Sequence, residues 1–388
     1  MDLRRVPAAD LDVPSDPVLL EAIRTEIAAN GPITFARFME IALYDPERGY
    51  YRGAAAKPGR GGDFLTAPEA HPIFGRAIAR FADDAWQALE RPARFTIREH
   101  GAGDGALAEA LLTGLDADGS GALGAVRYRV VEVEPARTAA VRARLEAAGR
   151  GGILEPDDGR PIAGLIIANE VLDALPTHRV VVREELLREI LVGLDRDGGL
   201  VDVEAAPTTD LLARRLADDG VVLAERQRAE ICLAADAWIA RVAAGLGRGV
   251  LLLIDYGHPA AELYDPARRA AGTLAAYLRH QVHDEPYRAI GRQDLTAHVD
   301  VTAAERSAAA AGLVHLGTTT QAGFLERLGA GEILVGYQSG ASATLQGYLA
   351  ARAALVRMID PAAMGRFRVM AFGRGLPVGT RLRGLDPG

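Results

Sequence analysis

Cysteine is nearly absent from this 388-residue chain, which carries one, Cys232. A single thiol excludes an internal disulfide framework and any zinc site built on cysteine clusters. Its alanine-rich surroundings, residues 229–240, predict a small buried apolar side chain. Lysine is almost missing too. Lys57 stands alone, and arginine supplies the rest of the basic charge as a bias of composition. No apolar run approaches the ~18 residues that a membrane span needs. The opening MDLRRVPAADLDVPSDP lacks a signal peptide's apolar core and the acid-poor helix of a transit peptide, so the expected compartment is the cytoplasm. Positive charge is also short, with a net charge of −8, which makes nucleic acid a poor partner. At 49% hydrophobic and 25% charged, the composition is that of an ordinary folded protein. No internal repeat or low-complexity tail interrupts it.

What is present is a change of pattern near residue 90. Before it, residues 16–29 read as a helix capped by Ser15 or Asp16, and a second helix spans 34–43 after Gly31-Pro32. Residues 44–72 are rich in glycine and proline and read as a loop, with Asp63, Thr66 and Glu69 suited to a lid. After residue 90, strands and helices alternate. RFTIREH, RYRVVEVE, GLIIANE and VLLLIDYG are strands, with helices from Ala106 and Pro135. This predicts an α/β fold with a parallel sheet covered on both faces. An insertion over 177–247 holds an antiparallel pair or triple of strands, a helix at 211–220, and helix after Val221. LVHLGTTTQ and RFRVMAFGRG are two late strands, with helix over 343–359.

The segment Glu99-His100-Gly101-Ala102-Gly103-Asp104-Gly105 joins a strand to a helix. Alternate glycines let the backbone turn sharply and let a flat ligand approach without a Cβ in the way. The spacing G-x-G-x-G differs from the G-x-G-x-x-G of dinucleotide folds. Glu99 before the first glycine faces a cation better than a phosphate. An acidic strand end followed by this turn looks like the first motif of Rossmann-like S-adenosylmethionine (SAM) methyltransferases. An acid ending the next strand would accept both ribose hydroxyls, and Glu132 and Glu134 both qualify. Asn169, Glu170 and Asp173 fall at the exit of the following strand. If that segment is helical, Glu170 and Asp173 share a face, where they can hold a cationic acceptor and take its proton.

Longer blocks carry a more specific likeness: GPITFARFMEIALYDPERGYY, GRGGDFLTAPEAHPIFG, EHGAGDGALAEALL, IIANEVLDALPTHRV, LLLIDYGH, GTLAAYLRHQVHDEP and GRQDLTAHVDVTA. In these the chain resembles the MidA-type SAM-dependent methyltransferases, bacterial relatives of the mitochondrial complex I assembly factor that methylates arginine. The resemblance spans about residues 31 to 330. It departs at Ala102 and Asp104, where the family pattern has proline and arginine. It departs again at Glu134, where a small hydroxyl residue is usual, and this favours Glu132 as the ribose ligand.

The resemblance implies a Rossmann-like class I methyltransferase with a seven-stranded, mostly parallel sheet, an N-terminal helical cap and an α/β insertion. On this reading residues 1–90 form the cap and lid, and residues 91–388 the core with the insertion 177–247. It implies SAM as cofactor, bound by Glu99, Gly101, Gly103, Gly105, Glu132, Asn169 and Thr66, and methyl transfer to a protein arginine. In the mitochondrial relatives that arginine lies on a catalytic-arm subunit of complex I. Glu170, Asp173 and His258 are the catalytic candidates. Asp255 and Tyr256 lie beside His258 at the sheet edge, and Asp294, His298 and Asp300 lie further on. His280 and His283, three apart with Asp284 beside them, could suggest a metal, but no third ligand stands at suitable spacing, so no metal is expected. A small-molecule methyltransferase and a non-catalytic SAM-binding assembly factor are the competing readings. Transfer assays on extract separate the first, and binding without transfer marks the second.

Overall fold

The computed structural model describes residues 13–52, 66–339 and 343–385. Its main sheet has six strands: β1 (Phe95–His100), β2 (Val126–Val131), β3 (Ile162–Asn169), β4 (Leu246–Asp255), β5 (Val314–Thr320) and β6 (Arg368–Arg374). Their order across the sheet is β5-β6-β4-β3-β1-β2. The four strands from β4 to β2 are parallel, whereas β6 runs antiparallel to both β4 and β5. The sheet is therefore mixed. A seventh strand is expected beyond β2, but the described residues place only a single parallel bridge there, Tyr128 to Leu154.

Strands β3 and β4 read as nearly continuous apolar runs because helices cover both faces. Period-two alternation sends Leu165, Ile167, Val250 and Leu252 to one face and Ile166, Ala168, Leu251 and Leu253 to the other. Helices Ile73–Ala88 and Ala106–Ala117 cover the first face, and Ala234–Ala244 with Val301–Ala310 the second. Helix Ile73–Ala88 shares one core with β1 through Phe74, Phe81 and Phe95, so main-core packing reaches back past residue 90.

Helices Pro17–Asn30, capped by the Asp16 carboxylate, and Phe35–Tyr44 pack instead against the insertion. There, strands His178–Arg183, Leu186–Leu194 and Leu200–Ala205 pair antiparallel. The stretch after Val221 differs from expectation. Arg228–Ile231 is a strand on His178–Arg183, and helix begins only at Ala234. The side-chain pattern explains this, since alternating Arg228, Ala229, Glu230 and Ile231 suit a pleated half-buried strand better than a helix.

In this sheet β1 has β2 on one side and β3 on the other, so the chain order reverses between β1 and β3. A crevice opens at their carboxyl ends, the general ligand position of open α/β sheets.

Candidate functional site

The crevice is a cleft of about 290 Å³, at the lower end of the range for small-molecule sites. Its floor is the turn from β1 into helix Ala106–Ala117. Gly101, Gly103 and Gly105 have φ of +71°, +58° and +86°, left-handed values that only glycine adopts freely. A Cβ on Gly101 would lie 2.8 Å from Val171 Cγ2, so the two loops can close on each other only because that atom is missing.

Acids ring this floor. Glu99 is buried and accepts a hydrogen bond from the Tyr128 hydroxyl at 2.5 Å. Burial pushes its carboxyl up to about 8, and the Glu132 and Asp104 charges push the same way. Glu132 follows β2 and accepts from the Gly103 N–H at 2.5 Å. Burial raises it as well, with the Arg137 guanidinium opposing. Glu134 points elsewhere, capping helix Pro135–Ala147 through the Ala136 N–H, so the structure separates two acids that alternation leaves together. Thr66 caps the turn Ala67–Ala70, with Glu69 accepting its N–H at 3.2 Å, and both line the cleft. Asp63 lies outside the described residues.

Across from the glycine turn, Asn169 donates to Glu170 Oε1 at 3.0 Å and leaves its own Oδ1 buried without a partner. Burial pushes Glu170 up to about 8, and Asp173 adds to the rise. The segment after Asn169 is not helical. Glu170 takes φ of +54°, and residues 170–177 form turns. The cause is Asp255, fully buried at the end of β4. Its Oδ2 accepts from the N–H groups of Val171, Leu172 and Asp173 at 3.1, 2.8 and 3.3 Å, and its Oδ1 accepts from Tyr256 N–H at 2.9 Å. Three successive amides thus converge on one carboxyl, and the chain leaves this nest as turns. Glu170 consequently lines the cleft, whereas Asp173 turns inward to the Tyr256 hydroxyl and a small interior cavity beside Cys232. Asp173 is pushed up to about 6 by burial. The two acids therefore do not share a face.

His258 does not line the cleft either. Its Nδ1 faces Glu262 at 3.2 Å, its Nε2 faces Arg269 at 2.6 Å, and its ring stacks on His298. A histidine committed on both nitrogens is no free base, so its assignment as catalytic is corrected. Asp294 accepts from the Tyr51 hydroxyl at 2.7 Å, and Asp300 caps helix Val301–Ala310. His280 and His283 sit on a hairpin, and among the described residues no three His, Cys, Asp or Glu side chains form a metal site. Cys232 is only partly buried, with its thiol near the Pro176 carbonyl.

Sequence reasoning assigned no role to several residues of the cleft. Tyr44 and Tyr51, rings 5.4 Å apart, wall it beside Glu170, and their signal lay in the YDPERGYY block. Trp238 and Arg241 come from helix Ala234–Ala244, where no local pattern marks them. His100 packs on Trp238, and burial holds it down to about 4, hence neutral.

These features suit an adenosyl sulfonium compound. Glu132 offers a charged acceptor to vicinal hydroxyls, and Val131, Val133, Ala102 and Leu107 offer apolar surface. Glu99 and Glu170, neutral when alone, gain from a nearby cation. The unpaired Asn169 Oδ1 awaits a donor.

Comparisons with known proteins agree. A sequence family described as "Putative S-adenosyl-L-methionine-dependent methyltransferase" matches residues 77–319. A protein from Burkholderia thailandensis, solved bound to S-adenosyl-homocysteine (SAH), superposes with a TM-score of 0.86 at 36% identity, covering 96% of this chain and 95% of its own. Among curated relatives, protein arginine methyltransferase NDUFAF7 of Danio rerio is 28% identical over 80% of this chain and 76% of its own length. The Drosophila melanogaster homolog is 27% identical over 92% and 85%. The chain belongs to this family of S-adenosyl-L-methionine-dependent methyltransferases.

Proposed function

We propose that the methyl acceptor is the guanidinium of an arginine in a protein. One observation carries this reading: Glu170, which lines the cleft, and the buried Asp173 and Asp255 behind it form no ion pair among the described residues. Buried carboxyls without a cation are costly, and a planar cation with several donors relieves them best. The names of the NDUFAF7 relatives support the same acceptor. By resemblance, the protein bearing that arginine is a subunit of a complex I-type enzyme.

When bound, SAM supplies an electrophilic methyl group on a sulfonium. Glu132 would hold the ribose, and the glycine turn would allow the nucleoside close approach. Glu170 orients the incoming guanidinium and, as the N–C bond forms, takes the departing N–H proton on its carboxylate. An acceptor cation lowers Glu170 from about 8, so it enters the reaction ionised and regains basicity as that proton is shed. Tyr44 and Tyr51 line the same cleft and help exclude water. Asp255 fixes the turn that presents Glu170, and Asp173 supports it from behind.

The test is Glu170→Gln, followed by transfer of radiolabelled methyl from SAM to extract protein and by calorimetric titration with SAH. Loss of transfer of at least a hundredfold with SAH affinity within threefold supports the reading. Equal loss of both makes Glu170 a cofactor ligand, and label appearing only in small molecules makes the acceptor a metabolite.

A further inference from the structure

A second group of charges stands at the same sheet edge, beyond Tyr256, and the reaction does not use it. Arg368 is paired with Asp255 across the β6–β4 ladder, which puts residues 366–368 beside the acidic turn. Tyr256 bridges the two regions. Its hydroxyl meets Asp173, and its ring lies 5.3 Å from Phe367 and 5.5 Å from His298.

Around these rings sit Arg269, Arg366 and Arg368; the Glu262 carboxylate pairs with Arg368, and its backbone carbonyl accepts from Arg269. Glu262 faces Arg368 at 3.4 Å and His258 at 3.2 Å and is half exposed, whereas nearby Asp265 is taken by Arg268. Of these three guanidiniums only Arg368 has an ion pair with a carboxylate among the described residues. Arg366 is exposed and makes no hydrogen bond or ion pair among the described residues, and the Arg368 Nε is buried without a partner. His298 Nδ1 is likewise buried and unbonded. Burial, His258 and the two guanidiniums of Arg269 and Arg366 hold His298 down to about 3, which registers how positive this place is. Arg269 itself is lowered by burial and by Arg366.

In a chain of net charge −8, clustered arginines with too few partners are a receiving surface. Arginine clusters are the general solution for binding acidic segments, since each guanidinium can grip a carboxylate with two parallel donors.

We propose that the rim formed by Arg269, Arg366 and Arg368 docks carboxylate side chains that flank the methyl-accepting residue of a polypeptide substrate. The inference rests on the acceptor being a residue of a protein, as proposed above. The resulting polarity is complementary: an acidic turn takes the cationic acceptor, and a basic rim takes its acidic neighbours.

The test measures fluorescence anisotropy of three labelled ten-residue peptides against the full chain with SAH added. One carries a central arginine flanked by glutamates. The second has glutamines in place of the glutamates, and the third keeps the glutamates with citrulline in place of arginine. The glutamate peptide should bind about tenfold tighter than the glutamine peptide at low salt, the sum of a few rim ion pairs, and the gap should close as salt rises. Arg366→Glu with Arg368→Glu should erase the gap. Arg366→Gln, at an exposed position that cannot endanger folding, should halve it or more. SAH affinity serves as the check that each variant is folded. Equal binding of the two arginine peptides, no detectable binding of the glutamate peptide, or a gap untouched by either variant overturns the proposal. The citrulline peptide separates the two readings. If it binds as well as the arginine peptide while the glutamate preference persists, the guanidinium pocket is wrong and the rim stands.

Discussion

Replacing Asp255 by asparagine changes one atom of a fully buried side chain and tests what shapes the site. The carboxylate now serves three amides through Oδ2 and a fourth, that of Tyr256, through Oδ1. An amide side chain has one acceptor oxygen. If that oxygen faces Val171, Leu172 and Asp173, three bonds to a carboxyl oxygen become bonds to an amide oxygen, at up to about 1 kcal/mol each, and the Tyr256 N–H is left facing a donor, at about 1–3 kcal/mol. Burial and the Asp173 and Glu170 charges push the Asp255 carboxyl well up, against its amide donors, so a neutral amide returns part of this. The net loss should be about 2–4 kcal/mol in denaturant-induced unfolding. Local opening should exceed global unfolding, so hydrogen exchange of residues 169–175 should accelerate at least tenfold while β3 itself stays protected. SAH affinity should change less than threefold, because Asp255 does not line the cleft. Unchanged stability and unchanged exchange in 169–175 would refute the clamp.

Two further predictions bear on the cofactor cleft. Glu132→Gln should weaken SAH binding by 10- to 100-fold in calorimetry, about 1.4–2.8 kcal/mol for a charged acceptor of two hydroxyls, whereas Glu134→Gln should leave it within twofold. For pH, Glu99 and Glu170 are both raised to about 8, so cation binding must release their protons. The ligand favours the ionised form, hence affinity rises with pH until the free-protein value is passed. SAM affinity should therefore climb several-fold between pH 6.5 and 8.5, and SAH, which lacks the sulfonium charge, should climb less. A flat ratio of the two would remove these acids from the sulfonium's surroundings.

Much of the fold was legible because β3 and β4 are short apolar runs that declare themselves by composition, while β1, FTIREH, is marked by the glycine turn that follows it. The helix Pro17–Asn30 was marked by Asp16 and Pro17, a cap and a first-turn proline. The glycine turn was legible for the same local reason. Three things were not. The 170–177 turn depends on Asp255, some 85 positions away in sequence, and the helical spacing of Glu170 and Asp173 points the wrong way without it. His258 sits at the right end of β4, yet Glu262, Arg269 and His298 engage it from three other segments. The edge beyond β2 is a single bridge, since Gly151, Gly152 and Pro156 around Leu154 offer no pleated run to continue it. Local chemistry announces elements and turns, whereas which carboxylate faces the ligand is decided by partners remote in sequence.

The most direct test of the account is a crystal structure of the full chain grown with SAH. The nucleoside should lie over Gly101–Gly105, its ribose hydroxyls on the Glu132 carboxylate and its sulfur toward Glu170. Ligand density elsewhere on the protein, or a ribose that leaves Glu132 on the Gly103 amide alone, would contradict it.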